Sequence, residues 1–348
     1  MASGNSVWKN HGRFAELLAG EDLSFLDGLN DFVQEGITSI VTGGAGFIGS
    51  HLCDKLIDKN HRVICIDNLL TGSLNNIRHL LKNPAFKFIK ADIVSDEIIG
   101  LGNRADYVYH LASPASPPKY RKYSIETLLV NSQGTYKMLE VSRKLNCNFL
   151  LASTSEVYGD PKEHPQKETY FGHVNPTGVR ACYDEGKRFA EALTMEYYRK
   201  YKTKIRIIRI FNTYGPRMQV SDGRVVSNFI TQALSGKPVT IYGQGNQTRS
   251  FCYVSDMVEG IVATGESSAT AGKVINLGNH QELKIREMAE LIVSKTGSRS
   301  KIIHQDKRLD DDPELRRPDI TRARILINWR PKVSLGRGLD ETIAYFKQ

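Results

Sequence analysis

Two short segments carry side chains suited to taking a hydride and a proton from an alcohol: Ser153-Thr154-Ser155-Glu156-Val157-Tyr158-Gly159 and Tyr183-Asp184-Glu185-Gly186-Lys187. Tyr183 and Lys187 stand four residues apart, so on a helix both project from one face. An ammonium beside a phenol favours the phenolate, drawing a pKa of about 10 toward neutrality and making Tyr183 a general base. The same lysine can hold a ribose. Thr154, Ser155 and Glu156 add two hydroxyls and a carboxylate, which can hydrogen-bond the reacting alcohol, orient a sugar or carry a proton. Taken alone, a Tyr and a Lys at this spacing form a common surface pair, and Ser or Thr followed by Glu also caps helices.

A hydride needs an acceptor, and the upstream turn Thr42-Gly43-Gly44-Ala45-Gly46-Phe47-Ile48-Gly49 provides a place for one. Gly43, Gly46 and Gly49 fall between an expected strand at 37–41 and an expected helix at 46–58, where they permit a tight turn, close approach to a pyrophosphate and close helix packing. Asp67 closes the next expected strand, 62–67, where a carboxylate accepts from adenosine ribose hydroxyls and repels a 2′-phosphate. NAD is therefore favoured over NADP.

The elements that must position these groups follow an alternating rhythm. Further strands are expected at 86–89, 107–111, 149–152 and 205–210, with long helices over 124–145 and 183–201. Strand and helix taking turns means a Rossmann-type α/β fold, a doubly wound parallel sheet covered on both faces. Thr154 to Glu156 then emerge at the carboxyl edge of a strand, where ligands of such folds bind. After Asn212 the rhythm weakens: helices at 222–234, 255–263 and 283–295 and a strand at 239–242 suit a smaller, substrate-binding lobe. The division expected is an extension at 1–36, an NAD-binding domain at 37–212 and a mainly substrate-binding lobe at 213–348, interleaved with it. Within the extension, Phe14, Leu17, Leu18 and Phe25, Leu26, Leu29, Phe32, Val33 recur at helical spacing, consistent with two short helices.

Bulk composition narrows the class. The 348 residues, 40% of them hydrophobic, suffice for a full core. The net charge of +9 is dispersed among acids, which speaks for a nucleotide ligand and a solvated surface and against nucleic acid. Five cysteines without paired spacing read as reduced, in a cytoplasmic setting; no apolar run is long enough for a membrane span, and the first twenty residues lack a signal-peptide core. None of the nine histidines stands at a metal-ligand spacing, so no metal is expected.

With the glycine turn and Tyr183-x-x-x-Lys187 in place, the chain resembles the extended short-chain dehydrogenase/reductases, the nucleotide-sugar epimerases and dehydratases. Within them, several blocks closely resemble the UDP-glucuronate decarboxylase group, over a span from about residue 37 to the C-terminus. They are Leu111-Ala112-Ser113-Pro114-Ala115-Ser116-Pro117, Thr154 to Pro161, Asn175-Pro176, Arg180 to Arg188, Phe211 to Met218 and Asp222 to Phe229. Related dehydratases carry an acid where Ser155 stands, so its absence argues against dehydration; a 4-epimerase or 4,6-dehydratase remains the alternative activity. The resemblance implies that Gly46, Phe47 and Ile48 touch the pyrophosphate of NAD, that Asp67, Asn68, Thr71 and Gly72 hold its adenosine half, and that Asp92 and Ile93 face the adenine. Leu111, Ser113, Ala152, Tyr183, Lys187, Thr213 and Arg224 would line the rest of the cofactor site. Asn212, Arg249 and Arg316 would stand near the phosphates or the uronate of the substrate, UDP-glucuronate, and the family implies a homodimer built on the two long helices. The chain departs from the family pattern at Leu129-Val130-Asn131, with an aliphatic in place of the usual threonine, and in a longer 94–104 segment.

Overall fold

The computed structural model describes residues 36–98, 101–306 and 315–348; the helical pattern of residues 14–33 lies outside them. Six strands run in order through the first part: β1 (Thr38–Thr42), β2 (Arg62–Asp67), β3 (Phe86–Lys90), β4 (Tyr107–His110), β5 (Asn148–Thr154) and β6 (Ile205–Ile210). Short strands follow: β7 (Thr213–Tyr214), β8 (Val239–Tyr242), β9 (Thr248–Ser250), β10 (Cys252–Tyr253), β11 (Val274–Leu277), β12 (Glu282–Lys284), β13 (Ile302–Gln305) and β14 (Leu315–Arg316). The main sheet has seven strands in the order β11-β6-β5-β4-β1-β2-β3, every pair parallel. The chain leaves β1 toward β3 and returns to β4 on the other side, so the strand order reverses beside β1 and opens a crevice at the carboxyl edge.

Alternation within the strands explains the two layers of helix. Val41, Val63, Cys65 and Leu150 point into one core, with Leu52 and Leu56 of the Phe47–Asp58 helix and Ile261 of the Val254–Glu266 helix. Their neighbours Ile40, Ile64, Ile66, Phe149 and Leu151 point into another, with Met138 and Leu139 of the Thr135–Lys144 helix and Ala190 and Tyr197 of the Ala181–Tyr201 helix. Each such fully buried aliphatic contributes roughly 1.5–3 kcal/mol, and one-sided strands could not supply two cores.

Two differences from the expected elements have local causes. The single helix expected over 124–145 is instead Ser124–Leu129 and Thr135–Lys144 joined by a wide π turn at Val130–Gly134. Within that turn the buried Asn131 side chain donates to Ser113 Oγ at 3.0 Å and to Thr127 O at 2.8 Å, turning a polar group of the helix toward the crevice. The seventh sheet strand, β11, was not expected: four residues carry too little pattern to separate from a turn, and pairing with β6 supplies their reason to extend. The remaining small elements form the lobe that overhangs the crevice, with β8 beside β13 and β9 between β12 and β14.

Candidate active site

The carboxyl edge of the main sheet and the small lobe border a cavity of about 570 Å³, and every candidate catalytic, cofactor and substrate residue named from the sequence lines it. At β1 the chain turns through Gly43, whose φ of +72° lies in the left-handed region. A Cβ on Gly43 would stand 2.8 Å from the backbone nitrogen of Ala112, and one on Gly49 only 2.1 Å from Gly43 O. Bare backbone is thus required on this wall, next to the start of the Phe47–Asp58 helix, which suits a pyrophosphate.

The adenosine wall follows at β2 and β3. Asp67 accepts from Ala45 N at 3.0 Å and Leu69 N at 2.8 Å, and burial raises its pKa against those two hydrogen bonds. A Cβ on Gly72 would meet the Asp67 carboxylate at 2.8 Å, so this loop too closes on backbone. Asn68 Nδ2 donates to Asp92 Oδ2 at 2.9 Å, joining the ends of β2 and β3. Asp92, Ile93, Thr71, Phe47 and Ile48 complete this half of the lining. The residues present fit NAD.

On the other side, β5 delivers Thr154 at its end, and the Ala181–Tyr201 helix delivers Tyr183 and Lys187. Tyr183 is buried, hydrogen-bonded to the Thr154 side chain and stacked on Tyr120, with ring centroids 5.0 Å apart and planes at 4°. Thr154 Oγ1 also accepts Glu156 N at 3.2 Å, capping the short turn Ser155–Tyr158, so the capping and the functional readings of this hydroxyl hold together. Ala152, Ser155, Leu111, Ser113, Asn212 and Thr213 line the space between.

The electrostatics correct one expectation. Lys187 does not by itself draw Tyr183 toward neutrality: burial pushes the phenol up, Thr154 and Arg224 lower it, and Glu156 and Asp184 raise it. Lys187 Nζ donates instead to Ala152 O at 2.8 Å, and burial pulls its own pKa down to about 7. Withdrawing a phenolate and an ammonium from water costs more than their neighbours return. Arg224, paired with Asp222 and lying 5.8 Å from the centre of the Phe47 ring, is a cation acting directly on Tyr183.

Glu156 is held by arginines. Arg316 from β14 grips both its oxygens, one contact at 2.8 Å, and Arg180 binds the second oxygen. Burial would raise the carboxyl, but the charges of Arg180, Arg316 and Arg249 hold it well below the usual carboxylate range. Arg180 also reaches Asp184, at 3.8 Å. Among the described residues, three guanidinium groups gather round the carboxylates of Glu156 and Asp184, and guanidinium forks suit an anionic group. Sequence reasoning placed Arg249 and Arg316 here but not Arg180, which looks like a solvated charge until the helix start carries it inward. Tyr120, Thr240 and Tyr242 also line the cavity and were not singled out. The position of Arg180 three residues before Tyr183, one turn back on the same helix start, was the available signal.

A sequence model of the GDP-mannose 4,6-dehydratase family matches residues 40–342. The chain is 50% identical over 308 residues to UDP-glucuronic acid decarboxylase 1 of Arabidopsis thaliana, covering 88% of this chain and 69% of that protein. It is 50% identical over 309 residues to UDP-glucuronic acid decarboxylase 1 of Xenopus tropicalis, covering 89% and 72%. This chain belongs to the extended short-chain dehydrogenase/reductases, in their UDP-glucuronic acid decarboxylase group. Among solved structures, the UDP-glucuronic acid 4-epimerase of Bacillus cereus in complex with UDP-glucuronic acid and NAD is similar, at 31% identity and a TM-score of 0.81, covering 89% of this chain and 99% of that one. UDP-glucose 4-epimerase of Thermotoga maritima with UDP-glucose gives the same identity, TM-score and coverage. Membership of the decarboxylase group fits the hydroxyl of Ser155 beside Glu156 in this site.

Proposed function

We propose that this protein converts UDP-glucuronate to UDP-xylose and carbon dioxide, using NAD as a cofactor restored in each cycle. The observation that carries the reading is the buried Tyr183–Thr154 pair facing an arginine-rich pocket, in the same cavity as the glycine turn. The Gly43–Gly49 turn, Asp67, Asn68, Lys187 and Arg224 would hold NAD, which would supply a reversible hydride acceptor and a positively charged ring. Beside that positive charge Tyr183 would act as the phenolate and take the proton of the C4 hydroxyl, within a hydrogen-bond network that includes Thr154. Once C4 is a carbonyl, the carboxylate on C5 is β to a ketone and leaves as carbon dioxide, its electrons forming an enolate. Protonated Tyr183, with Thr154 or Ser155, hydrogen-bonds that oxyanion. A proton then enters at C5, and return of the hydride to C4 completes UDP-xylose and leaves the cofactor in its starting state. Arg316, Arg249 and Arg180 suit the uronate and the diphosphate; Glu156 is held ionised by two of them, which fits it to orient these groups.

The quaternary and cellular readings go with this. A homodimer packs Ile125 and Leu128 of the Ser124–Leu129 helix, Tyr136 of the Thr135–Lys144 helix and Phe189 of the Ala181–Tyr201 helix, all exposed on the chain alone. Five free cysteines, four of them buried, suit a reducing, cytoplasmic compartment.

Incubation with UDP-glucuronate and NAD tests the activity. Carbon dioxide and a pentose nucleotide are expected. A hexuronate nucleotide with every carbon retained would make the protein a 4-epimerase and overturn the reading.

A further inference from the structure

Lys187 has a neighbour that the reaction scheme leaves unused. Glu191 follows it by one helical turn and shares its face. The Glu191 carboxylate accepts Ser153 Oγ at 2.6 Å, Arg209 Nε at 2.9 Å and Arg209 Nη2 at 2.7 Å. The charged pair is nearly enclosed, with side-chain exposures of 11% and 12%. Ser153 and Arg209 are register partners across β5 and β6, so both grip Glu191 from the sheet. Arg209 is itself fixed by the Tyr158 ring, 4.7 Å away, and by Glu168 O at 3.2 Å. Glu191 thereby fastens the helix bearing Tyr183 and Lys187 to the strand that ends in Thr154.

The charge matters as much as the fastening. Lys187 is buried, and its ammonium must be maintained against desolvation. On its own helix it shares a face with Tyr183 and Glu191; on β4 its charge acts on His110, and on β6 Arg209 is reached through Glu191. His110 is held neutral, pushed down to about 3 by burial and by Lys187 itself, so it offers no counter-charge. Among the described residues Glu191 is the anion that favours the ammonium, and Arg209 draws on the same carboxylate.

We propose that Glu191, clamped by Ser153 and Arg209, is a positioning residue that keeps Lys187 charged and aimed at the cavity edge, with Arg209 limiting how much of that negative charge Lys187 feels. The inference rests on the decarboxylase reading only for its turnover arm.

The test follows the reactivity of Lys187 toward acetic anhydride across pH, read by mass spectrometry on the purified protein, together with the pH profile of carbon dioxide release. Glu191→Gln is expected to lower the titration midpoint of Lys187 by about one unit or more, and to move the alkaline limb of turnover down with it. Arg209→Met is expected to move both upward, and Glu191→Asp to restore most of the wild-type midpoint. A purely structural role would lower activity in both variants and leave the midpoint in place. Midpoints that stay still, or that move the same way in Glu191→Gln and Arg209→Met, overturn the proposal. If Glu191→Gln fails to fold, the direction of the Arg209→Met shift decides alone. A wild-type protein that releases no carbon dioxide sinks the decarboxylase reading, while the labelling still decides this one.

Discussion

The two halves of the cavity are built by different means. The half proposed for the dinucleotide is made of backbone and two carboxylates, contributed by consecutive strands: the Gly43 turn, Asp67 at the end of β2 and Asp92 after β3. The half proposed for the sugar is made of charged side chains gathered from distant places, with Glu156 after β5, Arg180 before Tyr183, Arg249 on β9 and Arg316 on β14. In the first half, shape does the work, and a change is felt as a loss of fit. In the second, electrostatic balance does it, and a change is felt in which groups are ionised.

The sharpest way to separate the halves is at Tyr183, where they meet. Tyr183→Phe removes the proton acceptor, and carbon dioxide release should drop on the order of a thousandfold, as for other general acid–base deletions; a variant within tenfold of the parent would place the base elsewhere. Next comes the charge cluster. Arg316→Gln leaves Glu156 with one direct guanidinium partner and should destabilise the fold by about 3 kcal/mol, as when a buried pair is broken, measured by urea unfolding at neutral pH.

The same variant sharpens the comparison through pH. Glu156 is depressed in the folded state, so its contribution to stability is present above its unfolded pKa of about 4.3 and is lost as pH falls below it. Arg316→Gln should lessen the depression and flatten stability against pH in that acid window. An unchanged slope would show that the arginines do not control Glu156.

In the dinucleotide half the expected effects are smaller. Asp67→Ala should weaken NAD by roughly tenfold, the equivalent of one lost hydrogen-bonding group at about 1.4 kcal/mol, measured by titration calorimetry, and should narrow the preference over NADP. An equal loss for both cofactors would contradict the assigned role. The mildest change is at the exposed helix face: Phe189→Glu should shift the protein toward monomer in sedimentation velocity, with turnover close to the parent. A dimer that persists would move the interface away from these helices.

The contrast also explains what the sequence could reveal. The glycine turn, Asp67 and the Tyr183–Lys187 spacing are local patterns, and local backbone rules were enough to bring them to one edge. Arg249 and Arg316 were reached through resemblance, since each alone passes for a solvated charge. Arg180 and Tyr120 were missed for the same reason: their roles arise from contacts with Glu156 and Tyr183 that no short window contains. The phenol's ionisation was misjudged because spacing on a helix reports proximity but not burial, and burial is the larger influence. β11 was invisible because its partner strand lies 67 residues upstream (Val274 against Ile207).

The account turns on oxidation at C4 followed by loss of the neighbouring carboxylate and protonation at C5. Turnover of UDP-glucuronate in deuterium oxide, with the product examined by proton NMR, tests all three steps together. UDP-xylose carrying one solvent deuterium at C5 and its original hydrogen at C4 is the predicted result; deuterium at C4, or a product that keeps the carboxylate, would contradict it.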